Sequence, residues 1–203
     1  VFCDPLLTMD LPAQVTAATG IDALTHLIEA YFAKGFHPMA DGMALEGIKL
    51  VSKGLARAVN APDLNARTMM MAAAMIGAVS FQKGLGVIHS CAHSLSANFN
   101  LHHGVANGIM LPYGVQFNLT EVEPKAQLVT AALGHPKGAA EDLVHYLFDL
   151  ISEIRLPTNL GAFKIESKDI DILAKSALED SCHQCNPRAV LLEDFQKLFE
   201  LAL

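Results

Sequence analysis

Charged side chains are few in this 203-residue chain: 17% of residues are Asp, Glu, Lys or Arg, against 52% hydrophobic. Soluble domains usually carry about 25% charge. The deficit excludes a disordered chain and points to a large buried core. Basic charge is especially short. Lys and Arg number 14 against 21 Asp and Glu, a formal net charge of −7, so the chain lacks the net positive field of a nucleic-acid binder. Cysteine is sparse too. Cys3, Cys91, Cys182 and Cys185 are too few for a disulfide scaffold and suit a reducing cytoplasm. Residues 1–5 show neither the basic start nor the apolar run of a secretory leader. There is no Gly-x-Gly-x-x-Gly turn, P-loop or nucleophile elbow. Strand signals are nearly absent after the opening VFCDPLLT, which reads like a strand end running into a loop. No internal repeat stands out.

What is present is helical periodicity. Helices are expected over 12–19 and 21–33, separated at Gly20, and over 39–59. The stretch 67–82 contains MMMAAAMIGAV, with almost no polar face. Its apolar run falls short of the roughly 18 residues of a membrane span, so a central buried helix is expected. Another helix starts near His89. Residues 98–104 read as a loop, and 105–118 as a helix kinked by Pro112. Helices over 124–133, 139–154, 168–182 and 192–202 complete one all-α domain of about eight to ten helices.

Nine histidines are present, and their spacing matters more than their number. Asp22 and His26 stand four apart on one expected helix, as do His89 and His93. Positions i and i+4 share a helix face, so each pair can grip an ion or can simply pack in a core. Ser90, Cys91 and Ala92 separate the two histidines of the second pair, which rules out the His-Glu-x-x-His protease motif. His102-His103-Gly104 lies at a loop-to-helix boundary, where glycine suits a crowded backbone approach. His37, His135 and His145 read as surface residues. Cys182-His183-Gln184-Cys185 has no second half-site for structural zinc and no βαβ context for redox work, so its cysteines read as structural.

Several of these elements, in this order, resemble the iron-containing (group III) alcohol dehydrogenases. TGIDALTHLIEAY (19–31) resembles that family's first metal-binding segment. GLGVIHSCAHSLSANFNLHHGVANGIMLPYGVQFN (84–118) resembles its second and third. DPLLTMDLP (4–12) and the late Asn186-Pro187-Arg188 also fit. The resemblance implies a dehydroquinate-synthase-like C-terminal helical domain. It implies metal ligands at Asp22, His26, His89 and His103. It places His93 beside substrate and nicotinamide, as a proton relay and not a ligand. The implied metal is Fe2+, although the same donors suit Zn2+ or another divalent ion. NAD(P) would be bound mainly by an N-terminal α/β domain that this chain does not resemble. Residues 1–203 are therefore expected to be the metal-binding catalytic domain of a longer protein, inactive alone.

The implied reaction interconverts alcohols and aldehydes or ketones. Alternatives are a glycerol-dehydrogenase-like or dehydroquinate-synthase-like zinc relative, or a non-catalytic helical module for metal binding or assembly. Expected partners are a small alcohol or aldehyde, the N-terminal domain and further copies in a homo-oligomer, with no nucleic acid and no membrane. Two departures from the family pattern are Ser94, where proline is frequent, and Cys91, expected near the site and open to oxidation.

Overall fold

Several helix boundaries in this chain are set by residues that satisfy otherwise orphaned backbone groups or turn the chain out of the helix. His37 Nδ1 accepts from the Ala40 N–H at 3.2 Å, with Pro38 just inside the helix. The Asp63 carboxylate accepts from the Ala66 N–H at 2.8 Å. Asn100 closes a helix in the left-handed conformation at φ 52°. The computed structural model, which describes residues 2–203, contains eight α-helices. They are α1 (Ala13–Phe32), α2 (Pro38–Asn60), α3 (Leu64–Ser80), α4 (Val87–Phe99), α5 (His103–Ala132), α6 (Asp142–Glu153), α7 (Ile170–Glu179) and α8 (Leu192–Ala202). Short 3₁₀ turns link several of them, and no strand occurs among the described residues. The opening segment forms a 3₁₀ turn over Pro5–Thr8 where a strand end was expected. Val1 lies outside the described residues.

Helix α1 is the hub, packed on α2, α3 and α5. Its Ile21, Leu24, Leu27 and Ile28 are fully buried. The long α5 joins this group to α4 and α6, and α7 bridges α4 and α8. Gly20 does not divide α1 as expected. It sits inside the continuous helix, where an added Cβ would lie 2.3 Å from Leu55 Cδ1 of α2. Close helix approach, not a turn, explains that glycine. Helix α5 keeps helical backbone dihedrals through Pro112, and its one non-helical residue is Val122, two before Pro124. The kink therefore belongs to the second proline.

Helix α3 departs most from expectation. It lies at the edge of the bundle. Ala66, Arg67, Met70, Ala73, Gly77 and Ser80 form its one buried face, while Met75 and Val79 are exposed. By length and composition alone Leu64–Lys83 could cross a membrane, yet its buried face carries a cation. Arg67 donates to Thr16 Oγ1 at 2.6 Å and to the Leu11 carbonyl at 3.0 Å. An Ala/Met surface does not specify which side is covered, and here α1 and α2 cover only one.

The start of α5 presses on α1. A Cβ on Gly104 would lie 2.2 Å from the Ala18 carbonyl oxygen, which is backbone and cannot swing away. Glycine after His103 is thus required by close approach, as the sequence suggests. Gly104→Ala is expected to lower stability by about 1–3 kcal/mol, the usual cost of overpacking, measured by urea unfolding. An unchanged midpoint would contradict this packing.

Candidate metal centre

Three helices bring titratable side chains to one point. The inner face of α1 presents Asp22, His26 and Glu29, at i, i+4 and i+7. The first turn of α4 presents His89, with His93 one turn further. Helix α5 begins at His103, with Asn107 one turn on. His103 Nε2 lies 3.3 Å from Asp22 Oδ1, and His89 Nε2 lies 3.7 Å from it. One donor atom from each of Asp22, His89 and His103 falls within 4.8 Å of the other two. The Asn107 side-chain amide sits among them. Its Nδ2 is 2.7 Å from Asp22 Oδ1, 3.0 Å from His103 Nε2 and 3.4 Å from His89 Nε2.

Glu29 was not anticipated from the sequence. Its carboxylate is 3% exposed and faces the first turn of α4. It accepts from the Ile88 N–H at 2.7 Å and lies 2.6 Å from His89 Nδ1. That contact fixes the imidazole, aims Nε2 at Asp22 and supplies the carboxylate partner common behind metal-bound histidines. Asn186 completes the helix start, its Oδ1 accepting from the Val87 N–H at 3.2 Å. The late Asn-Pro-Arg motif therefore serves α4.

The electrostatics call for positive charge here. Burial works to raise Asp22, but hydrogen bonds with His103 and His89, aided by His26, outweigh it and hold the carboxyl far below the usual range. Burial pulls His89 down, but Asp22 and Glu29 outweigh it and raise it to about 9. Burial pushes His26 down to about 4. Two carboxylates thus hold a proton on His89, and a cation at Nε2 would take its place. Asn107 Oδ1 is buried without a hydrogen-bond partner, as expected where one amide stands alone amid several candidate ligands.

His93 stands beside this cluster, its ring centroid 5.2 Å from that of His103 and 5.9 Å from that of His89. Its Nδ1 lies 2.8 Å from Asp180 Oδ2. Asp180 is held in turn by the Ser90 hydroxyl at 2.7 Å and the Cys182 N–H at 2.8 Å. Burial works to raise Asp180, but those hydrogen bonds and His93 hold it down at about 2. The side chain of His93 is 43% exposed, which leaves it a path to solvent.

Asp22, His89 and His103 come together, while His26 stacks on His89 with centroids 4.7 Å apart, outside that tightest group. His102 is exposed, as are His37, His135 and His145. Cys182, read as structural, instead lies at the edge of the site with Sγ 4.0 Å from His93 Nδ1. Cys91 is not open to oxidation. It is fully buried, and burial, then Glu29 and Asp180, push its thiol well up. Ser94 ties α4 to α7 by donating to the Leu173 carbonyl at 2.8 Å.

Fold and cluster define an all-helical domain with a histidine–carboxylate centre at the meeting of three helices. The model of the Fe-containing alcohol dehydrogenase family, C-terminal, matches residues 16–203, and the chain belongs to this family. It is 37% identical over 211 residues to 4-hydroxybutyrate dehydrogenase of Cupriavidus necator, covering 99% of this chain and 55% of that one. It is 35% identical to the NAD-dependent methanol dehydrogenase of Bacillus methanolicus, covering 98% and 55%. The crystal structure of a 1,3-propanediol oxidoreductase superposes with a TM-score of 0.95 at 33% identity, over 98% of this chain and 55% of that one. The chain spans about half the length of the curated relatives it matches.

Proposed function

We propose that this chain is the metal-binding half of an NAD(P)-dependent alcohol dehydrogenase that interconverts alcohols with aldehydes or ketones. The observation that carries this reading is the convergence of Asp22, His89 and His103, with His89 oriented by buried Glu29. One carboxylate and several imidazoles suit a divalent ion of the first transition row, with Fe2+ favoured by family and Zn2+ compatible by donor type. Asp22, His26, His89 and His103 would hold it. When bound, the ion supplies Lewis acidity that stabilises negative charge on a substrate oxygen. NAD(P), on an α/β domain facing this one, supplies the hydride chemistry.

The chain's own residues have distinct tasks. Glu29 keeps the His89 ring in one orientation. Asp180 does the same for His93, holding Nδ1 so that Nε2 is free to exchange a proton with the substrate hydroxyl. Partial exposure lets His93 pass that proton to water. Burial of α4's first turn keeps bulk solvent from the ligand side. A cytoplasmic setting belongs to this reading, in keeping with four cysteines present as thiols.

The 203 residues alone are expected to retain a divalent ion but to reduce no NAD+ with any alcohol, because nothing holds the nicotinamide near the substrate. Joined to a nucleotide-binding domain, the same chain is expected to be active. Turnover by the purified domain alone would overturn the division of labour. Failure to retain metal would overturn the metal reading.

A further inference from the structure

We propose that His93, Asp180 and Cys182 form a second cation site, selective for a thiophilic divalent ion such as Zn2+. One donor atom from each lies within 4.8 Å of the other two. His93 Nδ1 is 2.8 Å from Asp180 Oδ2, and Cys182 Sγ is 4.0 Å from the same nitrogen. Tetrahedral zinc, with bonds of about 2.0–2.3 Å, spaces its ligand atoms ~3.3–3.6 Å apart. Shifts of roughly half an ångström bring the His93–Asp180 and His93–Cys182 separations to that spacing.

The site is already oriented. Asp180 Oδ1 is taken by the Ser90 hydroxyl and the Cys182 N–H, which leaves Oδ2 to face His93. Ser90 is itself fixed, its Oγ accepting from the His183 N–H at 3.0 Å. Partners of this kind hold ligands in place behind a metal. With His93 43% and Asp180 21% exposed, a hydrated ion can enter and keep water as its fourth ligand.

Sulfur gives the site its selectivity. The Asp22, His26, His89 and His103 set contains none, whereas Cys182, a thiol that burial and Asp180 push up, would release its proton to water on binding the cation and supply a thiolate that favours zinc over harder or more weakly binding ions. The two centres therefore sort metals by softness. A cation on His93 Nδ1 replaces the bond to Asp180 and pins the ring. On the reading of His93 as the proton relay, occupancy of this site inhibits the enzyme while the first centre stays filled.

Cobalt(II) titration of the complete polypeptide carrying this chain, in the absence of oxygen, tests the proposal. Nitrogen and oxygen ligands give cobalt only weak visible bands, whereas thiolate ligation adds an intense near-ultraviolet charge-transfer band. The expected result is weak bands with the first equivalent and the intense band with the second. Cys182→Ser should abolish that band and Cys185→Ser should keep it. In parallel, Cys182→Ser should weaken Zn2+ inhibition by at least the ~10–100-fold that loss of an orienting partner costs. The wild-type spectrum needs no variant: one bound equivalent without the intense band overturns this proposal and leaves the first centre standing. A band that survives Cys182→Ser overturns it as well. Failure to retain any cobalt overturns both centres.

Discussion

His89→Ala is expected to leave the protein unable to retain its divalent ion through dialysis, and to cost stability as well. The two losses have separate causes. Removing the imidazole deletes a donor whose Nε2 lies 3.7 Å from Asp22 Oδ1, and an incomplete set binds a metal poorly. It also strands Glu29, which is 3% exposed and loses its 2.6 Å contact. Removing one member of a buried ionic pair typically costs about 3–5 kcal/mol. Glu29→Gln should be milder, weakening metal affinity ~10–100-fold, the usual effect of losing an orienting partner. Elemental analysis after identical loading, with thermal unfolding of the metal-free proteins, separates the effects. His26→Ala belongs in the same series, since His26 stacks on His89 but lies outside the tightest donor group. Undiminished metal in both His89→Ala and His26→Ala would remove the assignment.

His93→Ala, in a polypeptide that also carries the nucleotide-binding domain, is expected to keep the ion of the Asp22–His89–His103 centre and lose about 10²–10⁴-fold in rate, the range for a general acid–base group. Its pH–rate profile should change shape. Asp180→Asn should fall between this variant and wild type, because the amide still reaches Nδ1 but no longer stabilises a charged ring. If His93 were a ligand of that first centre, its ion would be lost together with rate. If it only packed, the profile would keep its shape. Metal stoichiometry and pH profiles on these two variants distinguish the three roles.

Much of this arrangement was legible because it is local. The spacing of Asp22 and His26, of His89 and His93, and the glycine after His103 each follow from helix geometry or from one backbone contact. Glu29 continued the same stripe on α1 and was legible in principle, but a glutamate on a helix ordinarily reads as solvated. Asn107, one turn after His103, carried no charge to mark it. Asp180 gave no signal and Cys182 only that of a lone Cys-x-x-Cys, since they reach His93 across 87 and 89 residues. Only the fold establishes that pairing. The misplacement of α3 has a related cause: periodicity finds a buried face only when the other face is polar, and Ala and Met supply no contrast. Likewise Gly20 reads equally as a helix break or as space for Leu55, and packing alone decides.

The capping of α4 has a consequence for how the protein is made. A ribosome has delivered all four candidate ligands once His103 is translated. Yet the residue that closes the first turn of α4, Asn186, and the anchor of His93, Asp180, emerge only near the end of the chain. A nascent domain therefore holds every donor, and Glu29 behind His89, before it holds the Asn186 cap of α4 and the Asp180 anchor of His93. The start of α4 is therefore capped only after residue 186 has been made. Damage to the distal Asn-Pro-Arg turn should accordingly register two residues from His89, through a helix start left open at Val87.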